Sequence, residues 1–243
     1  MKSFFVALYY GLYMIFIGFK RIKFHFVRVF KGKDAAFQYT KKVVSHWSTN
    51  TIKIVGMKIE VIGRENIPKE ACLFVANHQS YFDIPALIYA IDKPIGFVAK
   101  KELEKIPVYK EWMLSMKSLF IDRGNAREAI KTINEGVQYL KEGYSMAIFP
   151  EGTRSRSKHM GEFKKGSLKL ATKSKVPIIP ISIDGTYKAF EERGSLRRAS
   201  VTIIIDKPIY TKDLTREEEN TLSDDLRNLI CKNLDIYNSI ETF

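Results

Sequence analysis

The chain has few of the residues that build disulfide scaffolds and metal sites. Among 243 residues there are only two cysteines, Cys72 and Cys231, and four histidines. The cysteines are far apart in sequence and lie in apolar or amphipathic stretches, so we expect buried free thiols in a reducing, cytoplasmic compartment. No internal repeat or low-complexity tract occurs, and no serine or cysteine nucleophile motif of the G-x-S-x-G type is present. These absences argue against a disulfide framework, a zinc site and that kind of covalent hydrolase.

Acidic residues are outnumbered, which points to an anionic partner. The net charge is +13 and the sequence pI is about 9.5, while hydrophobic residues make up 45% of the chain. That hydrophobic content excludes wholesale disorder and is enough for one large core. The positive charge favours either nucleic acid or a membrane surface that carries acidic lipid.

The N-terminal segment separates these two alternatives. Residues 3–19 contain no charge, and basic residues flank them on both sides. As a helix this stretch is about 25 Å long, slightly short of the roughly 30 Å hydrocarbon layer. The far flank is basic and lacks a cleavage site of the A-x-A kind, so a signal peptide is the weaker interpretation. Its many aromatic residues are typical of a segment that lies in the headgroup region.

Residues 20–47 alternate lysines and arginines with apolar and aromatic residues, and Asp34 is a plausible start for a helix that ends near Ser48. Such a surface suits nucleic acid by composition, but no nucleic-acid-binding motif accompanies it. We therefore predict a membrane-anchoring segment over residues 1–50 and an α/β domain over residues 51–243. The expected location is the cytoplasmic face of the inner membrane, with monotopic insertion favoured over a single short span.

After residue 51, short apolar runs alternate with segments of helical spacing, which predicts an α/β fold with a mainly parallel β-sheet flanked by helices. A strand or hairpin is expected over residues 52–62. Further strands are predicted at 72–76, 95–99, 119–121, 145–149, 178–183 and 200–205, and helices at 83–91, 109–118, 125–142, 167–174 and 214–238.

Three of these strands end in polar clusters, which include His78, Arg123 and Arg154. Ligands of such sheets bind beyond the carboxyl ends of the strands, so we expect the clusters to share one edge. A neutral histidine at this position can accept a proton from a substrate hydroxyl, and Asp83, five residues later, can fix its tautomer. The alternative is an ordinary helix start, with Asp83 as the cap and His78 bonded to backbone.

Arg123 and Arg154 together suit a phosphate, because the forked donors of a guanidinium match its oxygens. Gly152 allows backbone N–H groups to approach the same anion. Glu151, between Pro150 and Gly152, is expected to orient an arginine or a hydroxyl. Nearby positive charge comes from Lys100, Lys101, Lys164 and Lys165.

Four blocks of sequence resemble the glycerolipid acyltransferase family, and within it the bacterial 1-acyl-sn-glycerol-3-phosphate acyltransferases. They are NHQSYFD at 77–83, LFIDR at 119–123, FPEGTRS at 149–155 and VPIIPISI at 176–183. The blocks occur in the family's order, and the similarity extends over roughly residues 50–210 and to the N-terminal membrane-binding segment.

The resemblance implies transfer of an acyl group from a thioester to the sn-2 hydroxyl of lysophosphatidate, forming phosphatidate. Acyl carrier protein or coenzyme A carries the donor, and neither a metal nor a bound cofactor is expected. Alternatives are acylation of glycerol 3-phosphate or another lysophospholipid, and a non-catalytic protein that binds anionic lipid. His78 is the implied base and Asp83 its partner. The implied phosphate-binding residues are Arg123, Glu151, Gly152, Thr153 and Arg154, with possible support from Asn77, Ser80, Lys100 and Lys101.

Overall fold

The computed structural model describes residues 2–240, with side chains described from residue 5 to 235. Helix α1 (Lys2–Val55) contains one non-helical residue, Gly32, whose φ of 86° is accessible to glycine at little cost. The chain reverses its direction at Gly32. Two hydrogen bonds between the parts on either side of it show this: Trp47 Nε1 donates to Tyr10 OH at 3.2 Å, and Asn50 Nδ2 donates to Tyr13 OH at 3.2 Å. The helix is thus a hairpin with a first arm (residues 2–31) and a second arm (residues 33–55).

The sheet has seven strands in the order β1-β7-β6-β2-β5-β3-β4. Strands β6, β2, β5, β3 and β4 run parallel to one another, β7 is antiparallel to β6, and β1 is parallel to β7. This confirms the predicted α/β fold with a mainly parallel sheet. The strands are β1 (Met57–Ile62), β2 (Leu73–Ala76), β3 (Ile95–Lys100), β4 (Leu119–Ile121), β5 (Ser145–Ile148), β6 (Ile178–Asp184) and β7 (Ala199–Ile205).

Helices cover both faces of the sheet, as a parallel sheet requires. Alternate residues of β2 face opposite cores: Phe74 packs with α2 and the end of the second arm, and Leu73 packs with α4 and α6. The helices are α2 (Asp83–Ile91), α3 (Pro107–Ser115), α4 (Ala126–Lys141), α5 (Lys169–Ser174) and α6 (Arg216–Ile240).

Two local predictions were wrong. The strand expected over 52–62 begins only at Met57, because the second arm continues to Val55. Ser48, Ile52 and Val55 are buried at helical spacing, and Gly56 ends the helix with a φ of 79°. Cys231 is partly exposed, whereas Cys72 is buried as expected and burial raises its pKa to about 11.

The first arm presents a continuous apolar face away from the rest of the protein. It belongs to the helix Phe5–Val55, the one helix among the described residues that is long and apolar enough, by length and composition, to cross a membrane. The apolar side chains of this face recur at helical spacing and are 52–64% exposed. We call this face the outer stripe: Phe5, Leu8, Tyr9, Leu12, Ile15, Phe16, Phe19, Ile22 and Phe26.

Candidate functional site

The strand order brings the three polar clusters to one edge of the sheet. Strand β2, which leads to His78, pairs in parallel with β5, which leads to Glu151. Strand β4, which leads to Arg123, lies beyond β3 and runs in the same direction. The carboxyl ends of all three strands therefore face the same side, as the sequence predicts.

His78 and Asp83 form a hydrogen-bonded pair at this edge. His78 Nδ1 lies 2.6 Å from Asp83 Oδ2, and the Asp83 side chain is fully buried. The same oxygen accepts the backbone N–H groups of Gln79 at 2.7 Å and Ser80 at 2.9 Å. The other oxygen accepts the hydroxyl of Thr186. The carboxylate is thus held by the loop and the imidazole rather than acting as an ordinary helix cap.

Because the Asp83 carboxylate can only accept, Nδ1 of a neutral His78 carries the ring proton and donates it to Asp83. Nε2 is then the nitrogen with a free lone pair. The ring of Phe149 stacks on the imidazole, with centroids 4.0 Å apart and planes inclined by 12°. Phe149 is itself buried. One face of the histidine is therefore closed to water, and the ring is fixed in plane as well as in tautomer.

Glu151 links the loop after β5 to the loop after β2. Its two oxygens accept the backbone N–H groups of His78 at 2.6 Å and Gly161 at 2.8 Å. Burial raises the pKa of this carboxyl, although the two N–H donors act in the opposite direction. The N–H of Ser155 also donates to the carbonyl of His78 at 2.8 Å. Glu151 thus holds backbone in place and directs its oxygens at neither an arginine nor a hydroxyl, contrary to the expectation from sequence.

Arg154 is already engaged with a carboxylate. Its Nη1 donates to Glu191 Oε1 at 3.0 Å, and its guanidinium lies 3.3 Å from the centre of the Tyr81 ring. The Glu191 side chain is 4% exposed and also accepts the Ser80 hydroxyl at 2.7 Å and the Tyr81 N–H at 2.9 Å. Glu191 therefore joins the loops that carry His78 and Arg154, and sequence reasoning did not single it out.

Arg123 reaches Gly152 from β4. A methyl carbon built on Gly152, whose φ is +73°, would lie 3.5 Å from Arg123 Nη1. Thr153 is exposed on the same loop. The two lysines expected to support this site form ion pairs with acidic residues. Lys100 Nζ lies 3.4 Å from Glu102 Oε1, and Lys101 Nζ lies 3.0 Å from Asp122 Oδ2. Part of the positive field predicted from sequence is thus compensated.

Asn77 and Gln79 connect the loop to β6 rather than to an open pocket. The Asn77 amide donates to the Ile183 carbonyl at 2.9 Å and accepts the Ile183 N–H at 2.8 Å. Gln79 Oε1 accepts the Gly185 N–H at 3.1 Å. Together with the hydrogen bond from Thr186 to Asp83, these contacts fix residues 77–83, here called the base loop, from the β6 side. Neither Thr186 nor Gln79 carried a local signal that marked it for this role.

We expect Glu191→Ala to lower the free energy of unfolding by about 2–4 kcal/mol, because it leaves the Arg154 charge and two loop donors without their buried acceptor. Glu192→Ala is the matched control: that neighbour is 43% exposed and pairs with exposed Arg193, so a loss of no more than about 0.5 kcal/mol is expected. Chemical denaturation followed by circular dichroism measures both. Equal effects would contradict the role of Glu191.

Comparison with known proteins agrees with this geometry. The Acyltransferase family model matches residues 58–184. The probable 1-acyl-sn-glycerol-3-phosphate acyltransferase of Mycoplasma genitalium is 34% identical over 210 residues, which cover 81% of this chain and 76% of that protein. The corresponding Mycoplasma pneumoniae protein is 39% identical over 153 residues, 61% of this chain and 57% of that protein.

A solved structure is similar over nearly the whole chain. The crystal structure of the 1-acyl-sn-glycerophosphate (LPA) acyltransferase PlsC from Thermotoga maritima superposes with a TM-score of 0.85 at 29% identity, covering 98% of this chain and 96% of that one. The chain spans 57% of the length of the M. pneumoniae relative and 59% of that of the Saccharomyces cerevisiae 1-acyl-sn-glycerol-3-phosphate acyltransferase. The chain belongs to the Acyltransferase family.

Proposed function

We propose that this protein transfers a fatty acyl group from an acyl thioester to the sn-2 hydroxyl of 1-acylglycerol 3-phosphate, forming phosphatidate for phospholipid synthesis. The observation that carries the proposal is the His78–Asp83 pair, with Nε2 left available, at the sheet edge that Arg123 also reaches. The names of the relatives and of the Thermotoga maritima structure support the choice of acceptor.

In the proposed mechanism His78 Nε2 takes the proton from the acceptor hydroxyl as the oxygen attacks the thioester carbon. The Asp83 carboxylate stabilises the imidazolium that forms. The tetrahedral intermediate then collapses and the C–S bond breaks. The leaving thiolate takes the proton from the His78 imidazolium, which restores the neutral imidazole. Base catalysis of this kind contributes about 10²- to 10⁴-fold. The proton transfers and the acyl transfer in these steps use only His78, Asp83 and the two substrates, so we propose that no metal or bound cofactor takes part.

The acceptor's phosphate is assigned to the cationic groups around Gly152, with Arg123 in direct contact. Arg154 uses one donor on Glu191, and its remaining N–H groups are available to the anion. Holding the phosphate there keeps the glycerol hydroxyl close to His78, and such positioning supplies a large share of the rate of a bimolecular reaction.

We further propose that the hairpin seats the protein on the cytoplasmic face of the inner membrane. The outer stripe supports this assignment, since so large an exposed apolar face is costly in water. Basic residues of the first arm, such as Lys20, Lys23 and Arg28, favour a leaflet with acidic lipid. Monotopic insertion suits an arm that also packs on the second arm and α3.

An assay of donors against acceptors tests the proposed reaction. Purified protein in vesicles is offered acyl carrier protein or coenzyme A thioesters together with lysophosphatidate, glycerol 3-phosphate or lysophosphatidylcholine. Lysophosphatidate should give the highest kcat/KM with at least one donor. A preference for glycerol 3-phosphate or lysophosphatidylcholine would transfer the proposal to that acceptor. Absence of acyl transfer with every pair would leave only a lipid-binding protein.

For the membrane contact, the triple variant Leu12→Lys, Phe16→Lys, Phe19→Lys should reduce binding to anionic vesicles at least about tenfold, because each exposed apolar side chain contributes to insertion. Flotation or co-sedimentation with the vesicles measures this. Ile130→Lys, at an exposed apolar position of α4, is the matched control and should bind like the wild type. Undiminished binding of the triple variant would place the anchor elsewhere.

A further inference from the structure

We propose that Lys164 is a direct ligand of the acceptor's phosphate, so that Lys164 and Arg123 together form an anion site beside Gly152. This inference rests on the proposed function, because it names the groups that hold that substrate. Sequence considerations give Lys164 no more than a share in the general positive charge, equal to that of its neighbour Lys165.

The backbone fixes Lys164 beside the loop after β5. Its N–H donates to the carbonyl of Pro150 at 3.1 Å, and its own carbonyl accepts the N–H of Ser167 at 3.0 Å. The preceding residue, Phe163, is 7% exposed and belongs to the core on the α4 side of the sheet. The side chain of Lys164 therefore starts from a fixed position at the sheet edge, although the residue itself is exposed.

The ammonium group lies over Gly152. A methyl carbon built on this glycine would lie 3.0 Å from Lys164 Nζ and 3.5 Å from Arg123 Nη1. The two cationic groups thus both lie next to the bare backbone of Gly152, where a side chain would press against the Lys164 ammonium. An anion bound beside this backbone would accept from both, and the point charge of lysine beside the fork of arginine is a usual combination for phosphate.

Ion pairing distinguishes these two groups from three other cations that the sequence suggests for the site. Lys100, Lys101 and Arg154 each have a carboxylate within 3.4 Å. Within the described residues, neither Lys164 nor Arg123 has a carboxylate at ion-pair distance. Neighbouring like charges repel each other, and a phosphate between them removes that cost. Arg123 and Lys164 thus bring two cationic groups without an ion pair to Gly152.

The first test compares Lys164→Gln with Lys165→Gln, since Lys165 is the adjacent lysine and is also exposed. In Lys164→Gln the KM for lysophosphatidate should rise about 10- to 100-fold with kcat within about threefold of the wild type, whereas Lys165→Gln should match the wild type in both. Adding Arg123→Gln to Lys164→Gln should cost less than the product of the two single effects, because the two residues share one ligand. Equal values for the two lysine variants would overturn the proposal.

A second measurement uses the unmodified protein and needs no turnover. Amine acetylation read by mass spectrometry should label Lys164 less in the presence of glycerol 3-phosphate or lysophosphatidate, and should be unaffected by 1-monoacylglycerol, which lacks the phosphate. Labelling of Lys165 serves as the internal control. If the wild type ignores lysophosphatidate in the donor-by-acceptor assay, the proposed function fails. If it acylates lysophosphatidate but Lys164 is neither protected nor needed for a low KM, this inference alone fails.

Discussion

His78→Ala should lower kcat by about 10²- to 10⁴-fold, the usual contribution of a positioned base. The fold should survive, because Asp83 keeps the N–H groups of Gln79 and Ser80 and the Thr186 hydroxyl as donors. Vesicle binding should also be retained, since the outer stripe belongs to the hairpin and not to the loop after β2. Initial rates with saturating thioester and lysophosphatidate measure the change.

His159→Ala is the matched control for this prediction. His159 is exposed, and only its backbone N–H, bonded to Ser157, has an assigned contact among the described residues. Its replacement should leave kcat within about twofold of the wild type. Wild-type turnover in His78→Ala would remove the imidazole from the mechanism, and release of that variant from vesicles would mean that the loop contributes to membrane contact.

Asp83→Ala should have the largest effect on stability, with a loss of about 3–5 kcal/mol in the free energy of unfolding and no measurable turnover. The reason is that one buried carboxylate serves four donors: His78 Nδ1, two backbone N–H groups and the Thr186 hydroxyl. Removing it leaves all four without their acceptor in a site that water cannot reach freely. Denaturant titration in a detergent that keeps the hairpin solvated gives the value.

Asp92→Asn controls for loss of an acidic residue on the same helix. Asp92 is exposed at the end of α2 with a φ of 47°, a conformation that asparagine also tolerates, so about 0.5 kcal/mol or less is expected. Thr186→Val tests the network from the other side and should cost about 1–2 kcal/mol while retaining part of the activity. A loss below about 1 kcal/mol in Asp83→Ala would contradict the proposed network.

Where local patterns decide the structure, the sequence predicts it closely. Helix α2 and strand β4 have the predicted limits, and Asn125 caps α4 by accepting the N–H groups of Arg127 and Glu128. Periodicity and capping depend on neighbours within one or two turns, so they are readable from the chain. The shared edge of the three polar loops follows from parallel strands alone.

The partners of those loops could not be predicted, because they are distant in sequence. Glu191 meets Ser80 across 111 residues, and Thr186 meets Asp83 across 103 residues. No spacing rule connects such pairs. The reversed direction of β7 and the helical state of residues 52–55 likewise depend on packing. For Lys100 and Lys101, the sequence supplied the charges but not the acids that neutralise them.

The hydrogen bonds of the base loop also limit how the reaction intermediate can be stabilised. Every backbone N–H from residue 78 to 83 has an acceptor within the protein: in order, Glu151, Asp83 twice, Glu191, and the hydroxyl and carbonyl oxygens of Ser80. None remains to receive the negative charge that develops on the former thioester oxygen. An oxyanion hole made of backbone N–H groups would therefore have to come from outside the segment that carries the imidazole.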